Sequence, residues 1–280
     1  MTDDAAQQHK QRVTGVFDTI APGYDHAALR FFIFAADRVV KTLKPQPGQK
    51  ILDVATGTGA VAIACAQAVK PDGRVMAIDL SQAMLDKALQ NAKRMGLANI
   101  DRFQMDADSL EFRKHYFDHS VCSFGLFFLP DMAKALQEWV RVTKPGGKVM
   151  FTSFSKSAFT PMSNLFIEQL EARGVELSNP PFATLRLADP DVCLELLRGA
   201  GLDSLNVETV QVGYHLQSID DWWAVVWNSG MRGLVLRLDE QGQAEFKQQH
   251  LAGIQPLFGE KGLWMDVEVL ISQGVVPGGR

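Results

Sequence analysis

Three acids, each at the end of an apolar run, are the residues of this chain best placed to do chemistry. Asp53 closes Lys50-Ile51-Leu52 and leads into Val54-Ala55-Thr56-Gly57-Thr58-Gly59; Asp79 closes Arg74-Val75-Met76-Ala77-Ile78; Asp106 follows the stretch from Asn99 to Met105. An ionised carboxylate only accepts hydrogen bonds, which suits it to sugar hydroxyls, an exocyclic amino group or an ammonium. Gly57 and Gly59 let the backbone take positive φ and come close to a ligand. A helical pattern, Ala60 to Val69, starts directly after them and presents unpaired N–H groups and a positive dipole end.

Two cofactors compete for this turn. Gly57-x-Gly59-x-x-Ala62 is a permitted form of the dinucleotide fingerprint, and Asp79 stands about twenty residues on, where a ribose-binding acid belongs. The deciding residue is Asp53, whose charge would oppose two phosphates. S-adenosylmethionine carries no phosphate, and its amino-acid end bears an ammonium and a sulfonium that gain Coulomb energy from a nearby carboxylate. Asp79 then suits both hydroxyls of the ribose, and Asp106 the adenine amino group, with Asp108 as a competing choice for the latter. Acids at the carboxyl ends of three successive strands lie where open parallel sheets bind ligands.

These residues sit in longer motifs: Val16-Phe17-Asp18-x-Ile20-Ala21-Pro22-x-Tyr24-Asp25, Leu52-Asp53-x-Ala55-x-Gly57-x-Gly59, Ile78-Asp79-Leu80-Ser81-x-x-Met84, Asp106-Ala107, Phe117-Asp118-x-x-Val121 and Leu136-x-Glu138-x-x-Arg141-Val142-x-Lys144-Pro145-Gly146-Gly147. Over residues 12 to 155 the chain resembles the class I S-adenosylmethionine-dependent methyltransferases, and among them the ubiquinone/menaquinone-biosynthesis type and its small-molecule relatives. The resemblance implies that Gly57 and Gly59 pass close to the methionine part, that Asp79 holds the ribose, and that Asp106 with the Ala107 backbone reads adenine. Phe17 and Tyr24 would belong to an N-terminal lid. The expected cofactor set is therefore Phe17, Tyr24, Asp53, Ala55, Gly57, Gly59, Asp79, Leu80, Met84, Asp106, Ala107, Ser123 and Phe124, with S-adenosylhomocysteine as product.

The elements that must position these residues alternate. Strands are expected near 49–54, 74–79, 100–105, 117–123 and 147–154, with helices near 35–43, 59–69, 81–95 and 131–142. That alternation predicts an α/β, Rossmann-like sheet of seven mostly parallel strands with helices on both faces and the last strand antiparallel. Pro145-Gly146-Gly147 reads as a turn between a helix and the fifth strand. After Phe154 the pattern changes to a helix at 163–173 inside a Pro-rich insertion, a helix at 191–200, a sixth strand at 205–216 and a last strand near 265–273. The expected organisation is a lid at 1–36, a cofactor-binding core at 37–155, and a final part, 156–280, that completes the sheet and carries cap insertions at 156–190 and 217–264. In the second insertion Trp222, Trp223, Val225, Val226, Trp227 and Met231 give a broad apolar helix face, read either as an aromatic substrate wall or as the core of a helical pair.

Composition sets the outer bounds. A chain of 280 residues with 46% hydrophobic content can bury a large core. The net charge of −4 argues against nucleic acid, which needs clustered Lys and Arg. No run approaches the roughly 20 apolar residues of a membrane span, and the polar Met1 to Arg12 lacks a secretory signal, so a cytoplasmic protein is expected. Three scattered cysteines, Cys65, Cys122 and Cys193, suggest neither disulfides nor a zinc site.

The chemistry expected is an in-line methyl transfer to a small apolar or aromatic molecule. Ser123-Phe124-Gly125-Leu126 stands where the enzymes that methylate exocyclic amino groups of DNA bases or glutamine resemble one another in an Asn/Asp-Pro-Pro-Tyr/Phe turn, and neither this edge nor Ser153-Phe154-Ser155 supplies the oxygen ligands magnesium wants, so no metal is expected. If the acceptor arrives protonated, the candidate bases are His26, Tyr24 and His215 in that order. Their bland readings are a turn after Pro22-Gly23 for the first two and a solvated strand end for His215. The alternatives are a regulatory protein that binds the cofactor without turnover, a protein-directed methylase and an NAD-dependent oxidoreductase. The acceptor atom and the oligomeric state stay open.

Overall fold

A computed structural model describes residues 3–278; Met1 and Thr2 of the expected lid and the last two residues of the expected final part lie outside the described residues. Five strands, β1 (Lys50–Val54), β2 (Arg74–Asp79), β3 (Ile100–Gln104), β4 (Phe117–Ser123) and β5 (Thr143–Phe154), run parallel. Beyond them lie β6 (Asp203–Gln211) and β9 (Glu268–Val275), and the full order is β3-β2-β1-β4-β5-β9-β6. β9 is antiparallel to both of its neighbours. The expected seven-stranded sheet with an antiparallel last strand is what forms. The apolar runs explain the central strands: Ile51, Leu52, Val54, Val75, Ala77 and Ile78 are fully buried, as parallel strands covered on both faces must be.

The connecting helices follow their local signals. α1 (Asp3–Ile20) and α2 (Phe31–Leu43) precede the sheet; α3 (Ala60–Ala68), α4 (Gln82–Arg94) and α5 (Met132–Val142) cross between strands. Ser81 caps α4 by accepting from the Met84 N–H, and Asp131 caps α5 by accepting from the Lys134 N–H. Strand order reverses between β1 and β4, so their carboxyl ends open the crevice where such sheets bind ligands.

The later part carries α6 (Met162–Glu171), α7 (Pro190–Gly199), α8 (Ile219–Trp227), the short α9 (Arg232–Val235) and α10 (Glu240–Ile254), together with a two-stranded sheet of β7 (Tyr214–Leu216) and β8 (Leu263–Met265). Three expectations are corrected here. The single strand at 205–216 is two, because at Gly213 the chain leaves the main sheet; a Cβ there would lie 2.4 Å from the Met265 carbonyl oxygen. The last strand starts later than 265, because Met265 is taken by the small sheet. Pro145-Gly146-Gly147 lies inside β5 as an irregularity in its pairing with β4, where a Cβ on Gly147 would lie 2.2 Å from the Asp118 carbonyl.

Candidate functional site

The turn after β1 is built from its own polar groups. Ala55 at φ 52 and Gly57 at φ 55 are left-handed, and Gly59 at φ 89 caps α3. The Thr56 N–H donates to the Ile78 carbonyl (2.9 Å), which ties the turn to β2. Asp53 lies beneath it, 1% exposed, and accepts from the Thr56 hydroxyl at 2.6 Å. Burial pushes its carboxyl up to about 7 against the hydrogen bonds from Thr56 and the Ala62 N–H.

Asp79 meets the same turn from β2. One oxygen accepts from the Gly57 N–H (2.8 Å) and the other from the Ser81 N–H (2.9 Å). Burial raises this carboxyl while those N–H groups hold it down. Each oxygen keeps a further acceptor site, so two adjacent hydroxyls can be received at once.

Asp79 opens onto a cavity of ≈ 770 Å³, including its solvent-open mouth. Its floor is Ala55, Gly57, Leu80, Met105 and Ala107; its far side is Ser123, Phe124, Gly125, Phe128, Leu129 and Pro130; its roof is α1 and the turn after it, through Lys10, Val13, Thr14, Phe17 and Tyr24. The roof is fastened at both ends. The Ser81 hydroxyl donates to Asp18 at 2.5 Å, His9 Nε2 lies 2.8 Å from the Phe128 carbonyl, and Lys10 Nζ reaches Asp106 at 2.6 Å and Asp108 at 2.8 Å. Burial works against the Lys10 ammonium, but the two carboxylates outweigh it and hold its pKa above the usual lysine range.

One wall is aromatic. Phe17 meets Phe128 edge-on at 5.2 Å; Tyr24 stacks on Phe32 at 4.9 Å; Phe32 meets Phe124 at 5.5 Å, and Phe124 stacks on Phe154 at 4.3 Å. Phe124 takes φ 57, a conformation costing about 1–2 kcal/mol for an L-residue. Burial, Asp79 and Asp25 all push the Tyr24 phenol above its ordinary range.

The structure thus brings nine of the thirteen expected cofactor residues to one cavity: Phe17, Tyr24, Ala55, Gly57, Asp79, Leu80, Ala107, Ser123 and Phe124. The other four lie around it. Asp53 is under the turn, Gly59 backs onto α4, where a Cβ on it would lie 3.1 Å from the Ala88 Cβ, and Met84 packs with Ile20 and Ala21 between α1 and α4. Asp106 faces an outer hollow beside Lys10. Neither expected histidine lines the cavity: His26 is exposed and accepts from the Ala28 N–H (3.1 Å), and His215 packs against Trp264 at 5.1 Å. Lys10, Val13 and Thr14 were not expected, yet with Phe17 they fall at the i, i+3, i+4, i+7 spacing of one helix face. Phe128, Leu129 and Pro130 come from an irregular turn with no such signal. Among the described residues no three His, Cys, Asp or Glu side chains are grouped to hold a metal ion, and no helix is long and apolar enough to cross a membrane.

Comparison with known proteins gives one answer. The ubiE/COQ5 methyltransferase family matches residues 5–171. A demethylmenaquinone methyltransferase of Bacillus cytotoxicus is 34% identical over 165 residues, 58% of this chain and 70% of the relative. The aklanonic acid methyltransferase DauC of a Streptomyces species is 32% identical over 163 residues, 55% of this chain and 74% of the relative. In fold, the YcgJ protein of Bacillus subtilis superposes with a TM-score of 0.59 at 19% identity, covering 88% of this chain and 99% of that one. With this turn, these strand-end acids and this sheet, the chain belongs to the ubiE/COQ5 methyltransferase family and is an S-adenosylmethionine-dependent methyltransferase.

Proposed function

We propose that the cavity under α1 holds S-adenosylmethionine and that the methyl group passes to a small, flat, ring-bearing acceptor. The observation that carries this reading is Asp79: both its oxygens are oriented by backbone N–H groups at the edge of a cavity that is otherwise mainly apolar. The residues fit the cofactor. Asp79 would take the ribose hydroxyls, Leu80, Met105 and Ala107 the faces and edge of the adenine, and Ala55 and Gly57 the methionine part, with Asp106 reached once the roof adjusts. They fit a dinucleotide poorly, because Asp79, Asp106 and Asp108 already gather three carboxylates at this edge against Lys10 and Lys134, and two phosphates would add like charge.

When bound, S-adenosylmethionine supplies a methyl group on a positively charged sulfur, which leaves without acid catalysis. What the chain contributes is positioning and the exclusion of water, effects on the order of 7–11 kcal/mol in favourable cases. Of the three base candidates Tyr24 alone lines the cavity, and its raised phenol stays protonated at neutral pH. Tyr24 therefore orients by donating a hydrogen bond and does not remove a proton. His26 and His215 have structural parts instead, at a turn cap and against Trp264. The relatives' names give demethylmenaquinone and aklanonic acid as their acceptors. For this chain the cavity-lining rings Phe17, Tyr24, Phe124 and Phe128 support an acceptor that stacks on rings. In this reading α1 and the turn after it are the lid, and the later helices are the cap.

The test is calorimetric titration with S-adenosylmethionine, S-adenosylhomocysteine and NAD, on the wild-type protein and on Asp79→Ala. The first two bind and the substitution weakens them about 100-fold, as losing two hydrogen bonds to a charged group requires. Binding of NAD alone, or of none of the three, overturns the reading. Transfer of a labelled methyl group to phenols and quinols then separates an enzyme from a protein that binds without turnover.

A further inference from the structure

Two hollows share a thin wall. The cavity under α1 and an outer hollow bounded by Gln7, Gln11, Asp18 and Asp106 have Lys10, Thr14 and Leu80 as their common wall. Leu80 belongs to the end of the sheet, and the Thr14 hydroxyl is spent on the Lys10 carbonyl at 2.9 Å. Lys10 is the long, flexible member of the wall, and its ammonium bridges Asp106 (2.6 Å) and Asp108 (2.8 Å). Among the described residues these are the ion pairs α1 makes with the rest of the chain.

The bridge is built to be released. Asp108 is also paired with Lys134 at 3.5 Å, so it keeps a cation when Lys10 leaves. Asp106 has one oxygen on Lys10 and the other on the Asp108 N–H at a long 3.3 Å, so its freed oxygen becomes an acceptor on the hollow side. The remaining fastenings of α1, Asp18 to Ser81 and His9 to the Phe128 carbonyl, flank the Lys10 position and hold the helix while one side chain turns. A lysine stem reorients far more readily than a packed helix moves.

We infer that Lys10 is a latch for the cofactor: bridged to Asp106 and Asp108 it separates the cavity from the outer hollow, and swung away it joins them and frees Asp106 to receive an amino group of the ligand. Lys10 is a positioning residue, acting through Asp106. The inference rests on the cavity being the S-adenosylmethionine site. Its signature is ionic strength, because salt stabilises the separated charges of the Lys10–Asp106 pair, the more exposed arm of the bridge, and leaves the apolar contacts of Val13 and Phe17 untouched.

The experiment follows dissociation of S-adenosylhomocysteine from the full chain by stopped-flow displacement, at low and high salt, in the wild type, Lys10→Met and Lys10→Arg. For the wild type the rate rises about fivefold from about 20 mM to about 500 mM salt. In Lys10→Met it is about tenfold faster at low salt and indifferent to salt, while Lys10→Arg, which keeps the charge and the reach, returns it to within about twofold of wild type. A Lys10→Met rate within about twofold of wild type at low salt, or a wild-type rate indifferent to salt, overturns the latch. The second of these needs no variant, so a poorly folded Lys10→Met leaves the proposal decidable. Absence of S-adenosylhomocysteine binding in the wild type instead removes the cofactor reading, and the latch with it.

Discussion

The carboxyl edge of the sheet and the late cap hold their buried polar groups in opposite ways. At the edge, Asp79 is oriented by two backbone N–H groups and keeps acceptor sites turned to a cavity, and the backbone around it is left-handed at Ala55, Gly57 and Phe124. In the cap, the Trp222 N–H donates to His250 Nε2 at 2.9 Å, and His250 Nδ1 lies 2.8 Å from Gln169 Oε1. Phe246 stacks on that histidine at 5.4 Å, and both the tryptophan and the histidine are fully buried. The Trp222–His250–Gln169 chain satisfies its polar groups internally, while Asp79 keeps acceptor sites unused. Under the proposed function, that is the difference between a region that maintains a shape and one that receives a ligand.

The largest expected effect breaks this comparison cleanly. Trp222→Ala removes a fully buried ring and orphans His250, so it costs about 3–5 kcal/mol of stability, read from denaturant melts. The S-adenosylhomocysteine affinity of the folded fraction stays unchanged, because no Trp222 atom borders the cavity. Asp79→Ala does the reverse, losing ligand affinity about 100-fold with a smaller change in the melt, because the Gly57 and Ser81 N–H groups it leaves unpaired border a cavity open to solvent. A Trp222 variant that melts normally but binds poorly would show the cap to be part of the site.

Proton linkage sharpens the comparison, because the two regions carry opposite signs. Burial holds His250 down to about 4, against 6.5 ordinarily. The unfolded chain therefore takes up this proton first, and the stability His250 contributes above pH 6.5 is lost as the pH falls toward 4. Asp53 is raised from 3.8 to about 7, so its contribution is complete below 3.8 and is lost as the pH rises toward 7. Over the shared window the two nearly cancel, each worth roughly 2–3 kcal/mol at 1.36 kcal/mol per pK unit. His119, also near 4, adds a part with the sign of His250. Denaturant melts between pH 4 and pH 6.5 are thus expected to show stability rising more steeply with pH in Asp53→Asn than in wild type, and less steeply or falling in His250→Gln. Equal slopes in the two variants would remove either group from the account.

The same contrast explains what the sequence made legible. Asp53, Gly57, Asp79 and Ala107 stand at the ends of apolar runs, where period and spacing together fix both the strand and the direction of its end. Tyr24 and Phe17 followed only from a resemblance; the spacing of Lys10, Val13, Thr14 and Phe17 marks one face of α1 but does not say what that face covers. Asp53, Gly59 and Met84 lie one layer away from the cavity: a carboxylate at a strand end faces the cavity or the turn according to its side of the pleat, and the spacing of the motif does not tell which. The tryptophan stripe was ambiguous in principle. Its partner His250 lies 28 residues further on, in a helix whose own pattern is mostly polar, so the choice between wall and core depended on a contact no window contains.

The smallest expected effect lies in the strained backbone of the edge. A Cβ on Gly125 would lie 2.6 Å from the Ala55 Cβ and 2.8 Å from the Cys122 sulfur, so Gly125→Ala forces β1 and β4 apart at the head of the cavity and costs about 1–3 kcal/mol. Ala55→Gly alone is close to neutral: it relieves a left-handed alanine worth about 1 kcal/mol and loses a similar amount to the greater freedom of the unfolded chain. Made together, the two substitutions remove one of the two clashes, since the Ala55 methyl is gone while the Cys122 sulfur remains. A double-mutant cycle read by denaturant melts is therefore expected to give a favourable coupling of about 1 kcal/mol between positions 55 and 125. Additivity within about 0.3 kcal/mol would mean that the two strand ends already have room to separate, and that the strain at Ala55 does not come from the contact with β4.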